Sequence, residues 1–296
     1  MNDLSQPRAD IHRTITDSII AAIKAGAGTF TMPWHGGGAA ITKPENALTH
    51  MEYNGVNVLV LWARAYQAGF QTGYWASYRQ WQRLGAQVEK GAKATPIVFY
   101  KQVEEDREGD EEPSTRLFAR SSAVFNAAQV RGWTPPEDRH HKGDVQITKE
   151  VASFIDRTRA EIVWGGTSAH YHIPTDRIHM PDRERFRETA SGRAEHGLHS
   201  TILHELVHWC GAKHRLARFE SGLRRDDVPF EELIAEIGAA FLCADLGISV
   251  TPRPDHAAYV GHWLTALEGD CKAIFRASRF ATQSAQYLHE LASTVS

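Results

Sequence analysis

The sequence predicts an α+β fold, in which a small α+β domain is followed by a mainly helical domain with a small sheet. Three observations support this prediction. A helical hydrophobic pattern covers residues 11–25, strand-like segments follow between residues 86 and 125, and two strongly helical segments dominate residues 201–245. The chain has 296 residues, of which 42% are hydrophobic, so it is long enough for two domains of ordinary size.

The elements of the first domain follow from their hydrophobic periodicity. Residues 11–25 place Ile15, Ile19, Ala22 and Ile23 on one stripe, which predicts an amphipathic helix. The same reasoning predicts five more elements: helices over residues 53–68 and 77–84, and strands over residues 86–90, 95–103 and 116–125.

Two polar segments divide these elements. Residues 104–113 hold seven acids and one arginine, which predicts a solvated hairpin loop between two strands. Residues 133–143 include Pro135, Pro136 and Gly143, which is typical of a linker. The predicted domains are therefore residues 1–138 and 139–296.

The second domain contains the pentapeptide His-Glu-Leu-Val-His at residues 204–208. Side chains four residues apart share one face of a helix, so His204 and His208 can aim at one metal ion while Glu205 lies beside it. The flanking residues are uncharged, and Gly211 is suited to end the helix. The alternative is a helix whose two histidines bond to neighbouring carbonyl groups, but an apolar setting makes an unpaired Glu205 costly.

A catalytic zinc site needs a third protein ligand. Residues 231–245 form a second helical pattern, in which Glu232 and Glu236 share a stripe with Ala239, Ala240 and Cys243. Glu232 is predicted to be the third ligand and Glu236 to accept a bond from a ligand histidine, with the reverse order left open. The order of these residues resembles the gluzincin branch of metallopeptidases, although many gluzincins carry Asp where this chain has Glu236. Two solvated surface acids are the alternative.

Basic and aromatic residues are interleaved in the sequence of the first domain. Residues 64–101 contain six bases and one acid, and nine aromatic residues lie between residues 62 and 100. Cations for phosphates and flat faces for unstacked bases suit a sequence-tolerant binder of single-stranded nucleic acid. Trp75, Tyr78 and Arg79 are the strongest surface candidates, since Gly73 and Gly91 flank them. Core packing is the competing explanation for several of the aromatic rings.

Motifs in both halves resemble a known family. The segments 53–57, 75–80, 85–91 and 124–129 resemble the N-terminal domain of ArdC-type antirestriction proteins, and the segments 176–181, 204–209, 231–236 and 256–259 resemble the zincin-like metallopeptidase domain fused to it. The resemblance implies a bacterial, plasmid-borne protein that binds single-stranded DNA and protects an incoming conjugative plasmid from host restriction. The residues predicted to contact DNA are Tyr53, Asn57, Arg64, Trp75, Tyr78, Arg79, Arg83, Lys90 and Lys93.

Three functional hypotheses remain open at this point. The first is a DNA-binding protector in which the peptidase-like domain is secondary. The second is an active metallopeptidase delivered to DNA-bound proteins such as restriction subunits, with Glu205 as the base and Tyr259, Tyr171 or His262 as candidate oxyanion donors. The third is a non-enzymatic DNA-binding protein with a structural metal. Zinc is the expected ion, with manganese and cobalt as alternatives.

Composition bears on location more than on activity. The net charge is −3, so only the local distribution of charge points to a polyanion. Three cysteines without a Cys-x-x-Cys spacing predict no disulfide framework and no zinc ribbon. The N-terminus shows no apolar signal core and no apolar run is long enough to span a bilayer, so a bacterial cytoplasmic protein without membrane contact is expected.

Overall fold

The computed structural model describes residues 10–26, 42–105, 114–136, 144–188, 193–219, 227–248 and 256–294. These residues form an α+β structure with a mainly helical second half, which confirms the predicted fold class. The helices are α1 (Ile11–Gly26), α2 (Val56–Ala68), α3 (Tyr78–Arg83), α4 (Asp144–Arg157), α5 (Ala194–Cys210), α6 (Val228–Leu246), α7 (His256–Gly269) and α8 (Ala273–Thr294). Of these, α4, α7 and α8 lie outside the elements predicted from periodicity.

The N-terminal half is built on a four-stranded sheet. Its strands are β1 (Glu45–Asn46), β2 (Tyr74–Ala76), β4 (Thr95–Glu105) and β5 (Ser114–Asn126), in the order β1-β2-β5-β4. The long hairpin pairs Thr95 with Val124 and Glu105 with Ser114. The predicted acidic loop is therefore shorter than expected at its start, because residues 104 and 105 belong to β4; residues 106–113 lie outside the described part of the chain.

Helix α3 and a second small sheet lie beside these strands. Ser77 caps α3, and Gln80 completes a capping box by reaching back to the Ser77 backbone. Strand β3 (Gln87–Val88) pairs with β6 (Val130–Arg131) in an antiparallel ladder. The predicted strand over residues 86–90 is thus real but only two residues long.

In the described residues the C-terminal half combines a three-stranded sheet with five helices, α4 to α8. The strands β7 (Glu161–Trp164), β8 (His170–His172) and β9 (Arg177–Met180) have the order β7-β9-β8, so β8 is an edge strand of this sheet. Helices α5 and α6 lie very close together at Gly238. A Cβ atom added there would lie only 2.8 Å from a methyl carbon of Val207. Helix α6 ends at Gly247, which has a φ of 72° and so adopts a left-handed conformation that glycine tolerates well.

The two halves share one buried core. Helix α1 packs against α7 and α2 packs against α8, and residues of both halves belong to a single buried apolar cluster. At this junction the ring of Trp62 lies 5.9 Å from that of Phe241, and Thr16 donates to the carbonyl of Cys271 at 2.7 Å. The two units predicted to meet at residue 138 therefore pack intimately, and their boundary stays a prediction.

Two further sequence predictions concern cysteines and membranes. Cys210, Cys243 and Cys271 are all free thiols. Within the described ranges, no helix is both long enough and apolar enough to cross a lipid bilayer.

Candidate functional site

Helix α5 presents two histidines on one face. His204 is almost fully buried and His208 is largely buried, and their Nε2 atoms lie 3.1 Å apart. Glu205, between them in sequence, has only 1% of its surface exposed. Because the spacing of four residues covers about one helical turn, the helix itself brings the two imidazole rings together.

Glu232 on α6 completes a three-residue cluster with the two histidines. One of its carboxylate oxygens lies 3.4 Å from Nε2 of His204, and the other lies 3.5 Å from Nε2 of His208. Ligand atoms bound at the usual zinc distances in a tetrahedral site stand about 3.3 to 3.6 Å apart. The two distances to Glu232 fall in that range, and the distance of 3.1 Å between the histidine nitrogens is slightly shorter. In the described part of the chain these residues form the one group of this kind suited to a metal.

Each histidine has an acid behind its second ring nitrogen. Oε2 of Glu236 lies 3.7 Å from Nδ1 of His204, and Oε1 of Glu231 lies 3.1 Å from Nδ1 of His208. Glu236 therefore lies on the far side of His204 from Glu232, which favours Glu232 over Glu236 as the ligand. An acid in this outer position can orient a ligand histidine. Glu231 is within hydrogen-bond distance of Nδ1 of His208, whereas Glu236 stands beyond that distance from Nδ1 of His204.

Glu231 and its own partner were missed by the sequence prediction. Arg218 donates to both carboxylate oxygens of Glu231, at 2.8 and 3.1 Å, and to the hydroxyl of Ser284 at 2.8 Å. The only signal for Glu231 is its place next to Glu232 in a pair of acids. Arg218 lies in a turn after α5, where no periodic pattern marks it.

The electrostatics of the cluster follow from this ring of acids. Burial opposes a charge on His208, but its hydrogen bonds with Glu231 and Glu232 outweigh burial and raise the pKa of His208 to about 10. Burial likewise opposes a charge on Glu232, yet the two histidines hold the pKa of its carboxyl well below the usual range. A metal that binds through Nε2 of His208 must therefore displace a proton.

Strand β8 and the candidate oxyanion donors lie on the elements around α5. Both β8 and β9 pack against α5. The hydroxyl of Tyr171 donates to Asp176 at 2.8 Å, and Asp176 also pairs with Arg215, so Tyr171 is committed to a structural network. Tyr259 lies on α7 with its ring stacked on Trp263, whose Nε1 donates to the carbonyl of Pro229 on α6.

Three of the residues predicted to contact DNA belong to the core. Trp75 was expected at the surface, but only 1% of it is exposed and its ring meets Phe70 edge-on at 6.0 Å. Asn57 is 8% exposed, and its amide bonds to both the N–H and the carbonyl of Val98, so it caps the outer edge of β4. Tyr53 is 7% exposed, and its hydroxyl accepts a hydrogen bond from Asn46. The expectation that Trp75 lies on the surface is therefore wrong, while DNA contact by Asn57 and Tyr53 stays a prediction.

Two of the predicted arginines meet in a pocket on one face of the four-stranded sheet. Arg79 and Arg83 are one helical turn apart on α3, both are exposed, and both line an open pocket of about 360 Å³. The floor contains alternate residues of β4 and β5, including Phe99, which is 51% exposed. Tyr53, Asn46 and Gln80 also line it, and in the described residues its lining contains no acid.

Besides the buried Trp75 and Asn57, four predicted residues lie outside the lining of this pocket, here called the sheet pocket. Tyr78 is exposed and its hydroxyl accepts from Gln87, while Arg64 is half-buried beside the ring of Phe70. Lys90 and Lys93 are exposed in the loop after β3. The prediction missed Phe99 and Gln80 as members of the pocket, although Phe99 was one of the nine aromatic residues that indicated a stacking surface.

Comparison with protein families finds two models on this chain. Residues 9–125 match the N-terminal domain of anti-restriction factor ArdC, and residues 149–280 match a zincin-like metallopeptidase. The candidate metal site lies within the second range, and the sheet pocket lies within the first.

Whole-chain relatives extend the comparison. An uncharacterized protein, y4eC, of Sinorhizobium fredii is 42% identical over 292 residues, which cover 96% of this chain and 93% of the relative. A DNA primase TraC of Escherichia coli is 32% identical over 295 residues, but these cover only 26% of the primase. Crystal structures of the antirestriction protein ArdC from plasmid R388 superpose with TM-scores of 0.80 for the metal-free form, at 35% identity, and 0.78 for the Mn(II)-bound form, at 34% identity. Each match covers 97% of this chain and at least 99% of the R388 protein.

Proposed function

This chain belongs to the ArdC antirestriction family, and from that premise we propose that it binds single-stranded DNA and shields incoming conjugative plasmid DNA from host restriction. The sheet pocket is the observation that carries the proposal. The guanidinium groups of Arg79 and Arg83 can each form bidentate hydrogen bonds with a phosphate, and Phe99 offers an exposed ring for stacking.

The shape and chemistry of the sheet pocket favour a single strand over a duplex. Unstacked bases have free faces, which an exposed aromatic ring can contact, whereas paired bases in a duplex are already stacked. The amides of Asn46 and Gln80 bond to each other and to backbone N–H groups, so they hold the lining of the pocket in place. Binding should be tolerant of sequence and weaken as salt rises.

Phe99→Ala should weaken single-strand binding by about 1 to 3 kcal/mol, because the change removes one stacking platform. Phe99→Tyr keeps the ring and should bind nearly as well as the wild type. The measurement is the fluorescence anisotropy of a labelled oligothymidylate titrated with the full chain. Equal affinity for the wild type and Phe99→Ala, at matched stability, would remove the sheet pocket from the proposal.

We also propose that His204, His208 and Glu232 hold one divalent ion, with Glu231 and Glu236 fixing the two histidines. Two imidazole nitrogens and one carboxylate are a zinc donor set, and manganese is the alternative because the R388 relative has a Mn(II)-bound form. When bound, such an ion supplies a Lewis acid that polarises a carbonyl group and lowers the pKa of water.

A second candidate function is peptide hydrolysis, and the observation that favours it is Glu205 beside the cluster. This buried carboxylate lies next to His204 on α5, where it can accept a proton from water and pass it to a leaving amine. The free edge of β8 can pair with an extended peptide beside α5. Tyr259 remains the proposed oxyanion donor, and a restriction subunit is the kind of protein substrate that this function would require.

Glu205→Gln separates the two functions. The change keeps all three proposed ligands and removes the base, so metal content and single-strand affinity should match the wild type, while any hydrolysis of a labelled unfolded protein should fall by about 100- to 10,000-fold. Hydrolysis at the wild-type rate in the variant would exclude Glu205 as the base.

A further inference from the structure

A second cleft lies at the junction of the two halves. It has a volume of about 580 Å³ and is bounded by α8 on one side and by β4 and the start of α2 on the other. Val98 and Tyr100 of β4 line it, whereas Ile97 and Phe99 line the sheet pocket. Successive side chains of a strand point to opposite faces, so the two recesses lie on opposite faces of β4.

One wall of this junction cleft is an exposed stripe along α8. Lys272, Arg276, Arg279 and Gln283 follow a helical spacing of four, three and four residues, and all four side chains are exposed. In the described residues the lining of the cleft contains three side chains of lysine or arginine and no acidic side chain. Two acids lie outside the lining. Asp270 pairs with Arg276 at 2.6 Å, and both Asp270 and Asp10 interact electrostatically with Lys272. Among the described residues Lys272 and Arg279 form no ion pair, so their cations remain available to meet an anion.

The opposite wall and the floor carry aromatic rings. Tyr100 is 49% exposed, and its hydroxyl lies 3.2 Å from Nε2 of His12. The ring of His12 meets that of Phe275 edge-on at 4.7 Å. Cations on one side and flat rings on the other repeat the chemistry of the sheet pocket.

The two recesses lie on either side of the edge strand β4, whose outer edge is capped by Asn57 at Val98. Among the described residues, β4 is the last strand in the order β1-β2-β5-β4, and no further strand pairs with its outer edge. Phe99 and Tyr100 are consecutive and both about half exposed, one toward each recess. A single strand of DNA that passes around this edge meets an aromatic ring and at least two basic side chains on either side.

We propose that the junction cleft binds a second segment of the same single-stranded DNA, with its phosphates along Lys272 and Arg279 and a base against Tyr100. This inference rests on the proposed function and extends it, because it makes α8 of the metallopeptidase-like half part of the DNA-binding surface. It also explains why the two halves are packed through a common core: the second site exists only when α8 is held against β4.

The test compares Lys272→Gln/Arg279→Gln with Lys149→Gln/Arg185→Gln in the full-length chain. Both pairs remove one lysine and one arginine from exposed positions, and the second pair lines neither recess. Affinities are measured by anisotropy over a range of salt concentrations, with oligothymidylates of about 6 nucleotides, to fill one recess, and about 20 nucleotides, to reach both.

For the long oligonucleotide, losing two phosphate contacts should lower the slope of log affinity against log salt by about 1.4 in the α8 variant and leave it unchanged in the control. The short oligonucleotide should bind the wild type and both variants alike. Equal slopes for the two variants on the long oligonucleotide would overturn this inference alone. No binding of either length by the wild type would overturn the proposed function and this inference with it.

Discussion

Trp75→Ala should lower the free energy of unfolding by about 3 to 5 kcal/mol, because it empties a large volume in a closed core. The indole is 1% exposed and packs edge-on against Phe70, inside the cluster that joins both halves of the chain. Urea denaturation of the full chain measures the change. Trp75→Phe keeps most of the volume and should lose clearly less stability than Trp75→Ala.

Tyr78→Ala is the matched control for this prediction. Tyr78 lies three residues further along, is 42% exposed and makes one hydrogen bond, to Gln87, so its loss should cost no more than about 1 kcal/mol. If Trp75→Ala kept wild-type stability and lost only DNA affinity, Trp75 would be a surface residue and the packing described for β2 would be wrong.

Arg218→Met should destabilise the protein by about 3 kcal/mol, because it leaves the carboxylate of Glu231 buried without its main cation. The side chains of Arg218 and Glu231 are only 4% and 6% exposed, so water cannot replace the lost partner. His208 still faces Glu231, which limits the loss to the lower end of the range for a broken buried pair. Metal affinity should fall by about 10- to 100-fold, since Arg218 no longer fixes the position of Glu231 behind His208.

The double variant Arg218→Met/Glu231→Gln provides the control. It replaces both charges by neutral groups, so its free energy of unfolding should recover part of the loss seen in Arg218→Met alone. Its metal affinity should stay low, because the charged acceptor behind His208 is gone. Denaturation and competition with a chromophoric chelator measure the two quantities. A single variant as stable as the wild type would contradict the structural role given to Arg218.

The sequence was most informative where local geometry decides the outcome. A spacing of four residues on a helix brings His204 and His208 together whatever surrounds them, and the same periodicity places Glu232 and Glu236 on one stripe of α6. The two helices and their glycine stops were predicted for the same reason. The role of Glu231 was not predicted, because the direction of its side chain depends on how α6 packs against α5. It also depends on Arg218, which contacts Glu231 from a turn.

Burial in the N-terminal half could not be read from composition. Strand β2 is only three residues long and packed on both sides, so no alternation marks Trp75 as a core residue. Asn57 is polar, but it is buried because it caps the edge of β4, a contact across 41 positions of the chain. Phe99 and Tyr100 are apolar rings that look like core residues, and their exposure follows from the place of β4 at the edge of the sheet.

The central claim is that protection depends on binding single-stranded DNA and not on the carboxylate that is proposed as general base beside the candidate metal site. The most direct test is conjugative transfer of an unmodified plasmid into a restricting host that carries the wild type, Phe99→Ala or Glu205→Gln. The account predicts that transfer is protected by the wild type and by Glu205→Gln and is reduced with Phe99→Ala. Full protection by Phe99→Ala together with loss of protection in Glu205→Gln would contradict it.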